Sequence, residues 1–391
     1  MWQTRAQSPL RARYRRGVKH STQAFQCFGL LAVAAVVGCE AAPQPGADVT
    51  EQTHIVIAGE PTCPGCTIAL VDVAELGSPD DPASVRPDGA ARMCLVARHG
   101  AGRYLMSGPV GGGQVFVYSA DGQWLESLGR AGEGPGEFGR NLALVPGPAD
   151  SVYVVDNSQY RVSLLDPDGD FVRSFMIPGQ AVAHAALASG NLLFHFRPSG
   201  RPGDDRALFH MMDPSGQPLA RFGTSTREDV ETDQWVVSSH PTGGFWTGSV
   251  WKYELFRWQN PDSLVQTVTR EVDWFPPGGE WSPELYASEP PPPQLMHVTV
   301  DERGMVWTYS WVPDANWQPN ESRPATPEWS RRNFDTIVEV IDLTEGSVIA
   351  AERSDEMLGH ACKGNLAYAI VETAAGDMRV RVLEPRLIGR E

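Results

Sequence analysis

Lysine is almost missing from this 391-residue chain: Lys19, Lys252 and Lys363 are the only three among 32 basic residues. Against 48 acidic residues and a formal net charge of -16, so little positive charge gives no broad cationic field, which excludes nucleic acid as a partner. Helical periodicity is nearly absent beyond residue 63, which excludes helical bundles and coiled coils. The apolar stretch Phe28–Val37 is about half the ~20 residues that a membrane-spanning helix requires. Six cysteines are too few for a disulfide-dense scaffold. The pair Cys63 and Cys66 has no second CxxC to complete a zinc ribbon, and neither an HExxH nor a GxSxG stretch occurs. No cofactor and no resident metal are therefore expected.

What the chain does have begins with an export leader. Arg5, Arg11, Arg13, Arg15, Arg16 and Lys19 precede the apolar run without a single acid, and Gly38-Cys39 follows it. Val36-Val37-Gly38-Cys39 resembles the bacterial lipobox, so residues 1–38 are read as a signal peptide and Cys39 as a lipid anchor. Residues 39–62, rich in Pro, Gly and Ala, are read as a flexible tether. Contact with the membrane is then expected through the anchor only, on the extracytoplasmic side (periplasmic or cell-surface). Four cysteines remain in the exported part, Cys63, Cys66, Cys94 and Cys362, which implies two disulfides with three possible connectivities. A thiol-redox role for Cys63 and Cys66 is the weaker alternative, because an apolar strand pattern follows them where a redox motif needs a helix N-terminus.

From residue 63 onward, short runs of Val, Leu, Tyr, Phe and Trp alternate with Gly, Asp, Pro and Ser, the pattern of many short strands. Ser151-Val-Tyr-Val-Val-Asp156, then Tyr160 to Asp166, an Asp168-Gly169 turn and Phe171 to Phe175 form one unit. The same grammar recurs at 102–128, 190–222, 243–268, 304–350 and 364–383, a period of about 40 to 60 residues that suits four-stranded propeller blades. The last unit lacks a fourth strand, and Thr67–Leu76 has no partner of its own. The expected fold is all-β, a six-bladed beta-propeller over residues 63–391 whose ring is closed by that N-terminal strand.

Gly122 to Phe138, reading Gly-Gln-Trp-Leu-Glu-Ser-Leu-Gly-Arg-Ala-Gly-Glu-Gly-Pro-Gly-Glu-Phe, and Ser151 to Phe175 resemble the NHL-type repeats of bacterial six-bladed beta-propeller lipoproteins. That resemblance implies a binding scaffold. Related propellers also include lactonases and an amidating lyase, so the alternative it implies is a propeller hydrolase or lyase with a divalent ion in the axial channel. His184 and His297, on the inner strands of two blades, are the residues that such a channel ion would meet, and the competing reading makes them packed wall residues.

In a propeller the connections alternate between two faces. Those expected on one face are short. Those on the other are long: Gly129–Arg140, Arg197–Arg206, Gly223–Gln234, Phe275–Gln294 and Val312–Asn333. Long loops carry function more often than architecture, so the long-loop face is expected to bind the ligand. Its candidate contact residues are Arg140, Arg197, Arg227, Trp281, Trp317, Trp329, Arg331 and Arg332, since guanidinium and indole groups stack on and pair with planar or anionic partners. The expected partner is a protein, peptide or carbohydrate, and the expected role is non-catalytic. Trp246, Trp251, Trp258 and Trp307, within strands, are expected to fill wedges between blades.

Overall fold

The computed structural model describes residues 52–78, 81, 94–100, 102–107, 112–197, 207–224, 234–276, 288–319, 327–361 and 364–389. Thr, Val, Ile and aromatic residues dominate its strands, as β-branched and ring side chains pack well on a pleated surface. These strands form six antiparallel sheets, each running from an inner strand a to an outer strand d. Blade one comprises Val96–His99, Arg103–Ser107, Val115–Tyr118 and Trp124–Leu128; blade two comprises Leu142–Pro146, Val152–Asp156, Arg161–Leu165 and Phe171–Met176. Blade three follows as Ala181–Ala186, Leu192–Phe196, Ala207–Met212 and Pro218–Thr224, and blade four as Trp235–Ser239, Phe245–Ser249, Glu254–Asn260 and Ser263–Glu271. Blade five holds Gln294–Val300, Val306–Pro313, Phe334–Asp342 and Ser347–Ser354. Blade six takes Leu358–His360, Ala367–Glu372 and Met378–Ile388 from the C-terminus and Thr67–Leu76 as its outer strand.

The closure strand pairs antiparallel with Met378–Ile388, from Thr67 opposite Ile388 to Leu76 opposite Val380. Arg379 reaches Glu75 at 2.7 Å and Arg381 reaches Asp72 at 2.9 Å across that seam. The turn before each outer strand gives independent proof that the seam is a normal blade edge. Gly122, Gly169 and Gly216 close these turns in blades one to three, each with φ between 85° and 93°. A Cβ there would also strike the outer strand region of the preceding blade: Phe175 at Gly216, Leu128 at Gly169, and the Glu75 carbonyl at Gly122. Glu75 thus holds, for blade one, the place that Leu128 holds for blade two.

Each junction between neighbouring blades has its own apolar core. Leu105, Val117, Leu144 and Val154 fill the wedge between blades one and two, Val155 and Phe194 that between two and three, and Leu193, Phe209 and Phe245 that between three and four. Trp246, Leu255, Leu295 and Val306 join four to five, Trp307, Val338, Ala367 and Leu383 join five to six, and Tyr368, Val382, Val96 and Phe116 join six to one. Trp246 and Trp307 on strands are buried in these wedges, as is Trp251, which lies in the turn between Phe245–Ser249 and Glu254–Asn260 and not within a strand as expected; half-buried Trp258 packs on the junction of blades three and four.

Three sequence expectations are corrected. The tether is not free throughout, because Thr53–Ala58 runs parallel to Ser263–Glu271 as a fifth strand of blade four and buries Ile57 completely. The residues between this strand and the closure strand form a belt, with the Thr62 amide donating to the Val348 carbonyl of blade five at 2.8 Å. The long connection in blade five is not all loop, since Pro327–Asn333 is helical. Trp329 on that helix is 3% exposed and packs with Trp311, Phe334 and Met357, so it is a core residue and not a rim contact. Cys63 and Cys66 are bonded to each other, as befits a tight turn in the belt, and Cys94 is also disulfide-bonded. Cys39 and Cys362 lie outside the described residues, as do residues 1–38, expected to be a signal peptide.

Candidate functional site

The inner strands surround an axial channel with a cavity at each mouth. On the long-loop side, where inner strands begin, a cavity of about 210 Å³ is lined by Asn141, Gln180, Gln234, Trp235 and Met296, with Arg197 at its edge. Arg197 ends the second strand of blade three, and its amide donates to the Gln180 carbonyl at 2.9 Å, which brings the two residues to the same rim. Among the described residues no Asp or Glu lines this cavity. Trp235 is held by Phe209 and Phe256, with ring centroids 5.5 and 5.6 Å away. A guanidinium, three side-chain amides and an indole can together hold an anionic group with an apolar or planar body.

On the opposite side, where inner strands end in short turns, a cavity of about 300 Å³ is lined by Pro146, Pro148, Ala185 to Ala188, Ser238, Ser239 and Thr299, with His360 beside them. His184 and His297 border both cavities and so mark the middle of the channel. Burial pushes the His184 imidazole down to about 4. His297 is held well below its ordinary value by burial and then by His360 beside it. Their rings stack with centroids 3.4 Å apart. His360 is pushed to about 4 by burial, which outweighs the opposing hydrogen bond from its Nε2 to the Gly364 carbonyl. All three imidazoles are therefore neutral at pH 7. Among the described residues no group of three or more His, Cys, Asp or Glu is arranged to hold a metal ion.

Of the described arginines and tryptophans expected to bind ligand on the long-loop face, Arg197 lines one of these two cavities, and the others do not. Arg140 is exposed next to Asn141, and its amide donates to Ser158 Oγ at 3.0 Å. Trp317 is half-buried in the blade-five connection, with its indole N–H unbonded. Arg331 and Arg332 belong to the last turn of the short helix. Arg227 and Trp281 lie outside the described residues. Gln180, Gln234, Trp235 and His360 went unread because each sits at the end of an inner strand, where a single residue carries no periodic signal.

No protein-family model matches the sequence, and no curated protein matches it. Solved structures do resemble the fold. A protein described as exported, from Bacteroides fragilis, superposes with a TM-score of 0.57 at 12% identity, over 86% of this chain and 100% of its own. A member of the DUF4221 family from Bacteroides vulgatus gives 0.54 at 11% identity, over 82% and 99%. Virginiamycin B lyase from Staphylococcus aureus gives 0.45 at 8% identity, over 82% and 99%. At such identities the likeness establishes the propeller and nothing about activity.

Proposed function

We propose that this chain is a lipid-anchored, extracytoplasmic propeller of the NHL-repeat-like lipoprotein type that binds an anionic ligand without transforming it. The leader, Gly38-Cys39 and the exported character of the Bacteroides fragilis fold relative support the location. One observation carries the binding role. Arg197 stands at the long-loop mouth beside the Asn141, Gln180 and Gln234 amides and Trp235, in a cavity whose described lining holds no acid on a strongly acidic chain. Guanidinium and amides pair with a carboxylate, while the indole covers the ligand's body. A peptide segment or small acid carrying such a carboxylate fits this chemistry.

Titration with benzoate and N-acetylated amino acids, followed by protein NMR, tests the binding role. Arg197→Ala is expected to weaken binding at least tenfold and Arg197→Lys to restore only part, because an ammonium lacks the planar fork. Binding unaffected by Arg197→Ala overturns the assignment. The anchor is tested separately: Cys39→Ala is expected to move the protein from the membrane fraction to the soluble one, and retention in the membrane contradicts it.

A further inference from the structure

The cavity at the short-loop mouth, of about 300 Å³, is lined by none of the side chains expected to bind from loop length. Among the described residues its lining contains no Asp, Glu, Lys or Arg. On a chain with 80 such residues, an uncharged described wall of this extent bears on what the chamber can accept. A carboxylate or ammonium entering it would lose hydration without meeting a counter-charge, which is costly. The polar side chains that do line it are His184, His297, His360, Ser238, Ser239 and Thr299.

His184 is the telling residue. It is 7% exposed, and neither ring nitrogen has a hydrogen-bond partner; His297 Nε2 is likewise unbonded. A buried polar group left unmatched costs about 1–3 kcal/mol, so natural interiors rarely keep one that nothing ever satisfies. A neutral imidazole has one donor and one acceptor, and a hydroxyl is both. Around these groups Pro146, Pro148 and Leu187 supply apolar wall. Hydroxyl-matching groups on an apolar, uncharged wall suit a molecule with several hydroxyls and a C–H face.

We infer that the short-loop mouth, between the inner strands of blades two to six, is a second binding site for an uncharged polyhydroxylated molecule of monosaccharide size. This site is independent of the anion reading at the opposite mouth, because Arg197 takes no part in it.

The test is calorimetry and saturation-transfer NMR on the full chain with D-glucose, D-galactose, N-acetyl-D-glucosamine and myo-inositol. D-glucuronate and D-glucosamine serve as charged counterparts. At least one neutral probe is expected to bind, with its charged counterpart at least tenfold weaker. Ala188 is an exposed turn residue on the rim, so Ala188→Trp should block the mouth and weaken binding at least tenfold without changing the melting temperature. His184→Leu should also weaken binding at least tenfold while leaving the melting temperature unchanged or raised, and Arg197→Ala should have no effect. A trisaccharide ending in the bound sugar separates a glycan-end ligand, which it would match in affinity, from a free one, which it would not. Failure of all four neutral probes overturns the inference. So does equal binding of the charged counterparts, or binding that survives Ala188→Trp.

Discussion

Arg270 and Glu339 form an ion pair at 3.0 Å with side chains only 2% and 1% exposed, which joins the outer strand of blade four to the third strand of blade five. Glu339 also accepts from the Tyr253 hydroxyl at 2.6 Å, and Arg270 donates to the Glu271 and Ile57 carbonyls. The pair therefore ties the N-terminal fifth strand to the ring. Because removing one partner strands a buried charge, Glu339→Gln should destabilise the protein by about 3–5 kcal/mol. Replacing both as Arg270→Met with Glu339→Leu should cost much less. Denaturant unfolding of the three proteins checks this, and a wild-type midpoint for Glu339→Gln would contradict it.

Removal of the belt exposes two sheet edges at once. A chain beginning at about residue 80 loses the outer strand of blade six and the fifth strand of blade four, together with buried Ile57, Ile68 and Leu76. Unpaired backbone next to apolar surface favours intermolecular pairing. Light scattering and size-exclusion chromatography should show aggregation. A monomer with unchanged melting would refute the structural role of the seam.

Cys94 should be found joined to Cys362. Cys63 and Cys66 satisfy each other, and Ala361, which precedes Cys362, packs in the same core as Leu95 and Val96. Peptide mapping without reduction should recover a Cys94–Cys362 cross-link between the first and last blades. Recovery of a free Cys362 thiol would refute it.

The channel histidines should make stability fall on mild acidification. Their folded values are depressed, so between about 6.5 and about 4 the unfolded chain binds protons that the folded one refuses. Stability from His184 is thus fully present above the unfolded value. It is lost at up to about 1.4 kcal/mol per pH unit as pH falls, and the slope levels off below the folded value. The dependence of unfolding free energy on pH should be shallower in His184→Leu than in the wild type. Identical slopes would rule out a buried neutral imidazole at this position.

Much of this architecture was legible because it repeats. The Asp166-Pro-Asp-Gly169 and Asp213-Pro-Ser-Gly216 turns and the strands around them are local, and five complete units plus one lacking a strand define both the blade count and the missing edge. Even the closure by Thr67–Leu76 followed from counting strands. The parallel addition of Thr53–Ala58 to blade four could not be read, because one six-residue strand far from its partner in sequence has no local signature.

Loop length likewise marked the long-loop face, at whose mouth Arg197 lines a cavity. Trp329 failed because its own segment folds into a helix that turns the indole onto Trp311 and Phe334, a choice made by packing and invisible to composition. The sequence alone determined the repeat and the acidic balance of charge. Only the tertiary structure decided which side chains meet in the channel. Blades far apart along the chain present one inner strand each, and His184, His297 and His360 become neighbours of a single cavity through ring closure.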